Sequence, residues 1–170
     1  TDVYGLTIGA GVSYADCEAT MLDAYPQLSE FWPRIGGAQV RNMGTIGGNV
    51  MLDTRCKWYN QTYFWRKSLG FCLKKDGDVC HVIKGGSKCV AAASNDTAAA
   101  LSTLQAELEF ANAQGSTRIA IDKLWQADGI WNKKVGPHDL LVAIHLPAAL
   151  PASWVGMARI TCGMGEPDMI

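Results

Sequence analysis

One stretch of the chain, residues 54–90, differs in composition from the sequence on either side. It carries eight Lys or Arg residues and two Asp residues, a net charge of +6, whereas the whole chain has a formal net charge of −1. The same stretch contains four of the six cysteines, Cys56, Cys72, Cys80 and Cys89. Four thiolates form an anionic site whose charge nearby cations offset. We therefore expect the cysteines to organise this stretch.

The spacing of the four cysteines does not select one kind of site. They are separated by fifteen, seven and eight residues, which matches none of the close Cys-x-x-Cys spacings of common zinc modules. Four thiols suit zinc or an iron–sulfur cluster, and in an oxidising compartment they suit disulfides. Because no basic segment followed by an apolar one is visible at Thr1, we expect a cytoplasmic protein without disulfides. The spacing therefore leaves three alternatives for the four cysteines: a zinc site, an iron–sulfur cluster or free thiols.

Other functions have weaker support in the residues. Cations interleaved with six aromatic residues in 54–90 also fit single-stranded nucleic-acid binding, but the cysteine site explains the same charge more simply. The three histidines, His81, His138 and His145, form no constellation with a serine or cysteine, so no catalytic residue is predicted. His145 and two prolines interrupt the weakly charged run 140–158, so no membrane span is expected.

The remaining sequence predicts an α+β fold with an antiparallel sheet flanked by helices. In residues 4–8 apolar side chains alternate with polar or small ones, which predicts a strand. Residues 108–121 indicate a β-hairpin, and a last strand is predicted to end at Pro147. Helices are predicted from Ser13, as N-cap, to Pro26 and over 91–105, with Cys17 as a buried thiol. Five glycines in residues 34–49 predict that this stretch is mostly loop.

Within that stretch, GTIGGN at residues 44–49 is a candidate binding loop. Gly47 and Gly48 carry no Cβ, so their peptide N–H groups could approach an anion, and Thr45 and Asn49 add directional hydrogen-bonding groups. The loop lacks the Lys-Ser/Thr end of a P-loop and the full G-x-G-x-x-G spacing, so the pattern alone favours an ordinary turn. Asp96 could cap a helix or accept hydrogen bonds from ribose hydroxyls.

Together, QVRNMGTIGGN and the later SNDT resemble the flavin-binding subunits of molybdenum hydroxylases, the group that includes xanthine dehydrogenase and carbon monoxide dehydrogenase. A strand like LTIGAGVSYAD and a final Pro-x-x-Leu-Leu strand agree with that family in order. The resemblance covers about residues 3–147 and implies the middle subdomain of the PCMH-type FAD-binding fold. It implies that FAD is contacted by Ile35, Thr45, Ile46, Gly47, Gly48, Asn49 and Asp96.

An insertion between the glycine loop and SNDT narrows the resemblance. The text MLDTRCKWYNQTYFWRKSLGFC is similar to the β subunits of 4-hydroxybenzoyl-CoA reductases, in which this loop binds a [4Fe–4S] cluster. The resemblance implies a domain at 1–147, an iron–sulfur loop at about 54–92 and a divergent tail at 148–170. The implied cluster ligands are Cys56, Cys72, Cys80 and Cys89.

In such an enzyme, electrons pass between the cluster and FAD and onward through a [2Fe–2S] subunit to a subunit with a molybdenum cofactor. The family's N-terminal subdomain would precede Thr1, and its C-terminal subdomain would follow the tail. The chain is therefore expected to be an electron-transfer fragment that is inactive alone and self-associates through exposed surface. It keeps only part of the usual FAD contacts, which weakens the binding of free FAD by this chain alone. The alternative is a non-catalytic module of the same fold that holds zinc or nothing.

Overall fold

A computed structural model describes residues 4–20 and 25–148, so Met21, Leu22 and almost all of the tail lie outside the described residues. The described residues form two compact units. The sheet unit comprises residues 4–20, 25–51, 95–124 and 135–148, and the cysteine unit comprises residues 52–94 and 125–134. Within the described part of the chain, no helix is long and apolar enough to cross a membrane.

The sheet unit is built on four antiparallel strands, which confirms the predicted α+β fold with an antiparallel sheet. In chain order the strands are β1 (Tyr4–Gly9), β2 (Glu107–Asn112), β3 (Gly115–Ala120) and β4 (Leu140–Pro147), and their order in the sheet is β1-β4-β2-β3. Ile144 of β4 pairs with Ile8 on one side and with Leu108 on the other. All three side chains are buried, so one face of the sheet forms the core of this unit.

Six short α-helices complete the two units. They are α1 (Tyr14–Ala19), α2 (Pro26–Phe31), α3 (Ala38–Met43), α4 (Ile46–Val50), α5 (Tyr63–Ser68) and α6 (Asp96–Thr103), with 3₁₀ turns at Trp32–Arg34 and Ile121–Lys123. Ser13 caps α1 as predicted, because its hydroxyl accepts a hydrogen bond from the Asp16 N–H at 3.1 Å. The predicted burial of Cys17 is also confirmed. However, α1 ends at Ala19, well short of Pro26.

The prediction of a mostly looped stretch at 34–49 is wrong, because α3 and α4 occupy most of it. Two of the glycines, Gly37 and Gly44, flank α3 instead of interrupting it. Gly47 lies inside α4 for a packing reason, since a Cβ there would lie 2.6 Å from the Cβ of Ala10. The close approach of β1's end to α4 therefore requires this glycine, and tertiary packing outweighs its low helix propensity.

The cysteine unit contains little regular structure besides α5. Near the two ends of the 52–94 segment, the backbones of Arg55 and Ala92 pair through two hydrogen bonds of 2.8 and 3.0 Å. Residues 125–134 belong to the same unit, and the N–H of Gly129 donates to the carbonyl of Cys89 at 2.9 Å. Nothing in the sequence indicated that this later segment would join the cysteine-bearing stretch.

Candidate cofactor sites

The glycine loop predicted to contact FAD forms the start of α4. The N–H groups of residues 46–49 all have acceptors within the chain. In order, the acceptors are the carbonyl of Val12 (3.1 Å), the carbonyl of Ala10 (2.9 Å), the hydroxyl of Thr45 (3.1 Å) and the carbonyl of Thr45 (3.0 Å). These N–H groups are therefore already hydrogen-bonded within the chain, and the contacts of Gly47 and Gly48 with FAD stay predictions.

Two of the predicted FAD residues, Asn49 and Asp96, meet at the junction of α4 and α6. The Asn49 side-chain oxygen accepts a hydrogen bond from the Thr97 N–H at 3.1 Å. The Asn95 side-chain amide donates to the carbonyl of Val50 at 3.0 Å. Asp96 lies between these two anchored residues and is half-buried as the first residue of α6. The chain thus holds a carboxylate beside the end of the glycine loop.

A buried hydroxyl pair supports this junction and was not found by sequence reasoning. The Tyr14 hydroxyl forms a short hydrogen bond with the hydroxyl of Thr97, and both residues are buried. Burial raises the pKa of Tyr14 well above its usual range, which outweighs the opposing hydrogen bond from Thr97, and the charge of Asp96 adds to the rise. Tyr14 is therefore neutral and available as a hydrogen-bonding group. No local sequence signal links two residues so far apart in the chain.

The predicted FAD residues differ in accessibility. Gly48 is exposed, Thr45, Asn49 and Asp96 are half-buried, and Ile35, Ile46 and Gly47 are buried. Ile35 lies in a turn whose carbonyls at Ile35 and Gly36 accept hydrogen bonds from Arg41 at 3.4 and 3.0 Å. Arg41 also pairs with Glu18 at 3.1 Å, so it stabilises the chain before the glycine loop.

In the cysteine unit, the four predicted ligands line one cavity of about 20 Å³. Cys72, Cys80 and Cys89 are buried, Cys56 is half-buried, and all four are free thiols. The rest of the wall is mostly apolar and aromatic and is formed by Trp58, Tyr59, Leu73, Lys74, His81, Val82, Val90 and Ala91. The fold therefore brings together all four cysteines of the 54–90 stretch, across 33 positions of sequence.

A strained turn presents Cys72 to the cavity. Gly70 and Phe71 have positive φ angles of 76° and 62°, and for Phe71 this conformation costs about 1 kcal/mol. The carbonyl of Cys72 then accepts hydrogen bonds from the N–H groups of Lys75 and Gly77, at 2.9 and 3.2 Å. Strain of this kind persists only where surrounding contacts hold it, and it is common at binding sites.

Two of the sulfur atoms accept hydrogen bonds from backbone N–H groups. The Ile83 N–H donates to the sulfur of Cys80 at 3.4 Å, and the Ala91 N–H donates to the sulfur of Cys89 at 3.5 Å. Burial raises the pKa of Cys89, and the Ala91 hydrogen bond and the charge of Lys74 oppose that rise. Donors of this kind favour the thiolate, which is the form that binds metals.

His81, the histidine nearest the cysteines in sequence, lines the cavity and is half-buried. Its Nε2 lies 2.6 Å from the carbonyl oxygen of Phe71, and its ring is 5.4 Å from that of Trp58. His81 thus ties the segment after Cys80 to the strained turn before Cys72. In this arrangement its Nε2 is occupied by a backbone carbonyl.

Residues 1–149 match the family described as "FAD binding domain in molybdopterin dehydrogenase". The chain belongs to this family. The sequence resemblance to the flavin-binding subunits of molybdenum hydroxylases is thereby confirmed. A curated relative, the aldehyde oxidoreductase FAD-binding subunit PaoB of Escherichia coli K12, is 31% identical over 161 residues, which cover 88% of this chain and 51% of that protein. The chain thus spans about half the length of this relative.

Solved structures agree on the fold of this FAD-binding domain. CO dehydrogenase from Oligotropha carboxidovorans superposes with a TM-score of 0.52 at 23% identity, over 84% of this chain and 36% of that chain. Quinoline 2-oxidoreductase from Pseudomonas putida 86 gives a TM-score of 0.52 at 16% identity, over 86% of this chain and 38% of that chain. At such identities the likeness concerns the fold alone.

The geometry of the cysteine cavity also bears on the choice of metal. In residues 4–20 and 25–148, no three His, Cys, Asp or Glu side chains are arranged so that they could hold a metal ion. The four cysteines nevertheless line the wall of one cavity. The buried lysine beside them, Lys74, was not singled out by sequence reasoning, and nothing in the 54–90 stretch distinguishes it from the seven other basic residues there.

Proposed function

We propose that this chain is an electron-transfer component of a molybdenum-hydroxylase-type oxidoreductase. In this proposal the sheet unit contacts FAD, and Cys56, Cys72, Cys80 and Cys89 hold a [4Fe–4S] cluster. The main observation in its favour is that these four thiols line one cavity in a chain of the FAD-binding family. When bound, the cluster would supply one-electron transfer and FAD would exchange electrons with it.

The donor set supports a cluster more than a single zinc ion. A structural zinc ion needs its ligands within about 2.3 Å of one point, whereas each iron of a [4Fe–4S] cluster takes one cysteine. The N–H groups of Ile83 and Ala91 already point at two of the sulfurs, and the described wall contains no carboxylate. A cavity of about 20 Å³ has room for about one water molecule, so the thiols must move apart as a cluster binds.

For FAD, the proposal relies on the four predicted residues that are at least half-accessible. The Asp96 carboxylate would accept hydrogen bonds from ribose hydroxyls, as acidic residues do in other dinucleotide sites. Gly48 would let the cofactor lie against the backbone, because it is exposed and has no side chain. Thr45 and Asn49 position this surface, and the buried residues Ile35, Ile46 and Gly47 would support it from the core side.

We further propose that the parent complex resembles 4-hydroxybenzoyl-CoA reductase and supplies a [2Fe–2S] subunit and a molybdenum-cofactor subunit. PaoB is described as a subunit, which supports assembly with partners in general. The specific resemblance to 4-hydroxybenzoyl-CoA reductase relies on the cysteine-bearing sequence at residues 51–72. The substrate chemistry would then take place on another polypeptide, and this chain would relay electrons.

The cluster is tested by anaerobic purification followed by measurement of iron, acid-labile sulfide and zinc per chain. We expect about four iron and four sulfide and no zinc. Cys72→Ser should abolish both, whereas Cys17→Ser, which alters a buried thiol of the sheet unit, should keep them. Stoichiometric zinc without iron would favour the zinc module instead, and the absence of iron after reconstitution would contradict the cluster.

FAD binding is tested by fluorescence titration of the purified chain. Asp96→Asn should weaken binding about 10-fold, because losing a charged hydrogen bond costs about 1.5 kcal/mol. Asp122→Asn is the matched control, since Asp122 is an exposed aspartate of the same unit. Equal affinity of the wild type and Asp96→Asn would remove Asp96 from the proposed site.

A further inference from the structure

A buried cation lies in the wall of the cysteine cavity. Lys74 lines the cavity together with the four cysteines, and its side chain is only 4% exposed. Of the described residues that form the wall, Lys74 is the one that carries a permanent charge. Burying an ammonium group is costly unless it is hydrogen-bonded and its charge is offset.

Three acceptors hold the Lys74 ammonium in place. Its Nζ donates to the carboxylate of Asp53 at 2.9 Å, to the hydroxyl of Thr54 at 2.6 Å and to the carbonyl of Gly129 at 2.8 Å. These three bonds use the three protons of an ammonium group, so the geometry fits the charged form. We call these three acceptors, Asp53, Thr54 and Gly129, the Lys74 clamp. Their hydrogen bonds also keep the side chain from turning towards solvent.

In the part of the chain that the structure describes, the positive charge near Lys74 exceeds the negative charge that protein groups supply. A second lysine of the same unit, Lys133, is 2% exposed and donates to the carbonyl of Leu52 at 2.8 Å and to the side chain of Asn132 at 3.0 Å. Asp53 is the carboxylate paired with Lys74, and its side chain is 56% exposed, so water screens part of its charge. Two buried ammonium groups thus face one partly solvated carboxylate, which leaves an excess of positive charge.

We propose that Lys74, clamped by Asp53, Thr54 and Gly129, is a built-in counter-charge that raises the reduction potential of the cluster held by the four cysteines. This inference relies on the proposed function. A cluster with four thiolates is anionic, and its reduced form carries one further negative charge. A fixed cation nearby therefore stabilises the reduced form more than the oxidised form, and burial weakens the screening of that effect.

The test is a potentiometric titration of the reconstituted full chain, followed by the electron paramagnetic resonance signal of the reduced cluster. Lys74→Met should lower the midpoint potential. Asp53→Asn should raise it, because the acceptor oxygen remains while the opposing negative charge is lost. Lys84→Met, which removes an exposed lysine of the same unit, should leave the potential unchanged.

The two charge variants protect the test against a failure to fold. If Lys74→Met does not retain a cluster, the role of Lys74 is judged from the midpoint potential of Asp53→Asn. That substitution is isosteric and lies at a half-solvated site, so the variant should fold, and its potential should rise. Unchanged potentials in the cluster-bearing variants would overturn the role of Lys74 while leaving the cluster intact. A wild-type chain that takes up no iron would overturn the proposed function itself, so the two failures are distinguishable.

Discussion

The two units of this protein fill their interiors with different chemistry. The core of the sheet unit is apolar, and side chains such as Trp32, Leu108, Ile144 and Leu146 are fully buried. The interior of the cysteine unit contains thiols together with buried polar residues. Four of the six buried polar or charged residues found in the described chain belong to it, namely Thr54, Lys74, Asn132 and Lys133.

This difference indicates two sources of stability. Apolar burial stabilises the sheet unit without any ligand, at about 25 cal/mol per Å² of apolar surface. The cysteine unit has one short helix and few backbone ladders, so its order depends on specific polar contacts and on what its thiols bind. Small metal-bearing domains commonly fold only with their metal, because the free energy of metal binding becomes free energy of folding.

The largest effect is expected from removing the proposed cluster by oxidation and chelation. Amide protons of residues 52–94 should then lose nearly all protection from hydrogen exchange, while those of β2 and β4 keep theirs. Exchange measured by mass spectrometry reports both regions in one sample. The apo wild type and Cys72→Ser should behave alike. Loss of protection in β2 and β4 at the same time would show that the two units are not independent in stability.

Leu108→Ala should have the opposite effect: it should destabilise the sheet unit and leave the cysteine unit unchanged. Leu108 is fully buried in β2, so the substitution leaves a cavity that costs about 3 kcal/mol in the free energy of unfolding. Denaturant unfolding of the chain measures this loss. Leu140→Ala is the matched control, because Leu140 of β4 is 67% exposed and should change stability by no more than about 0.5 kcal/mol. Iron content should be unchanged in both variants.

A smaller effect is expected from Tyr14→Phe, which tests the buried hydroxyl pair of Tyr14 and Thr97 in the sheet unit. The substitution leaves the buried Thr97 hydroxyl without the Tyr14 partner and should cost about 1–2 kcal/mol. Tyr63→Phe, at a tyrosine that is 57% exposed in the cysteine unit, controls for the loss of a hydroxyl. Equal unfolding midpoints for the two variants would mean that the hydroxyl pair adds nothing to stability.

The smallest effect concerns pH. Hydrogen bonds from His145 and Arg118 lower the pKa of Glu109 below its ordinary value of 4.5. A carboxylate with a depressed pKa stabilises the folded state above the unfolded pKa, and that stability is lost as the pH falls through the folded pKa. Wild-type stability should therefore fall below about pH 4.5 more steeply than that of Glu109→Gln. Glu30→Gln, at an exposed site of α2, should keep the wild-type slope, and a parallel slope in Glu109→Gln would contradict the assignment.

Sequence reasoning succeeded where a short-range pattern decides the structure. The alternation in 4–8 and 108–121 predicts the strands because adjacent strand residues face opposite sides, and Ser13 caps a helix through a contact three residues away. It failed at 34–49, because glycine content describes intrinsic propensity, whereas α4 is set by contact with Ala10. The roles assigned to the FAD residues and cysteines, and the domain limits, stay predictions.

The sequence by itself determined the α+β class, the family and the four cysteines that belong together, because these depend on periodicity, motif text and composition. Only the tertiary structure decided that the cysteines share a wall with a clamped lysine, since Lys74 meets Gly129, 55 residues later in the chain. It also decided that Tyr14 bonds to Thr97, 83 residues away. Such contacts carry no local signal, because they arise when separate segments are packed against each other.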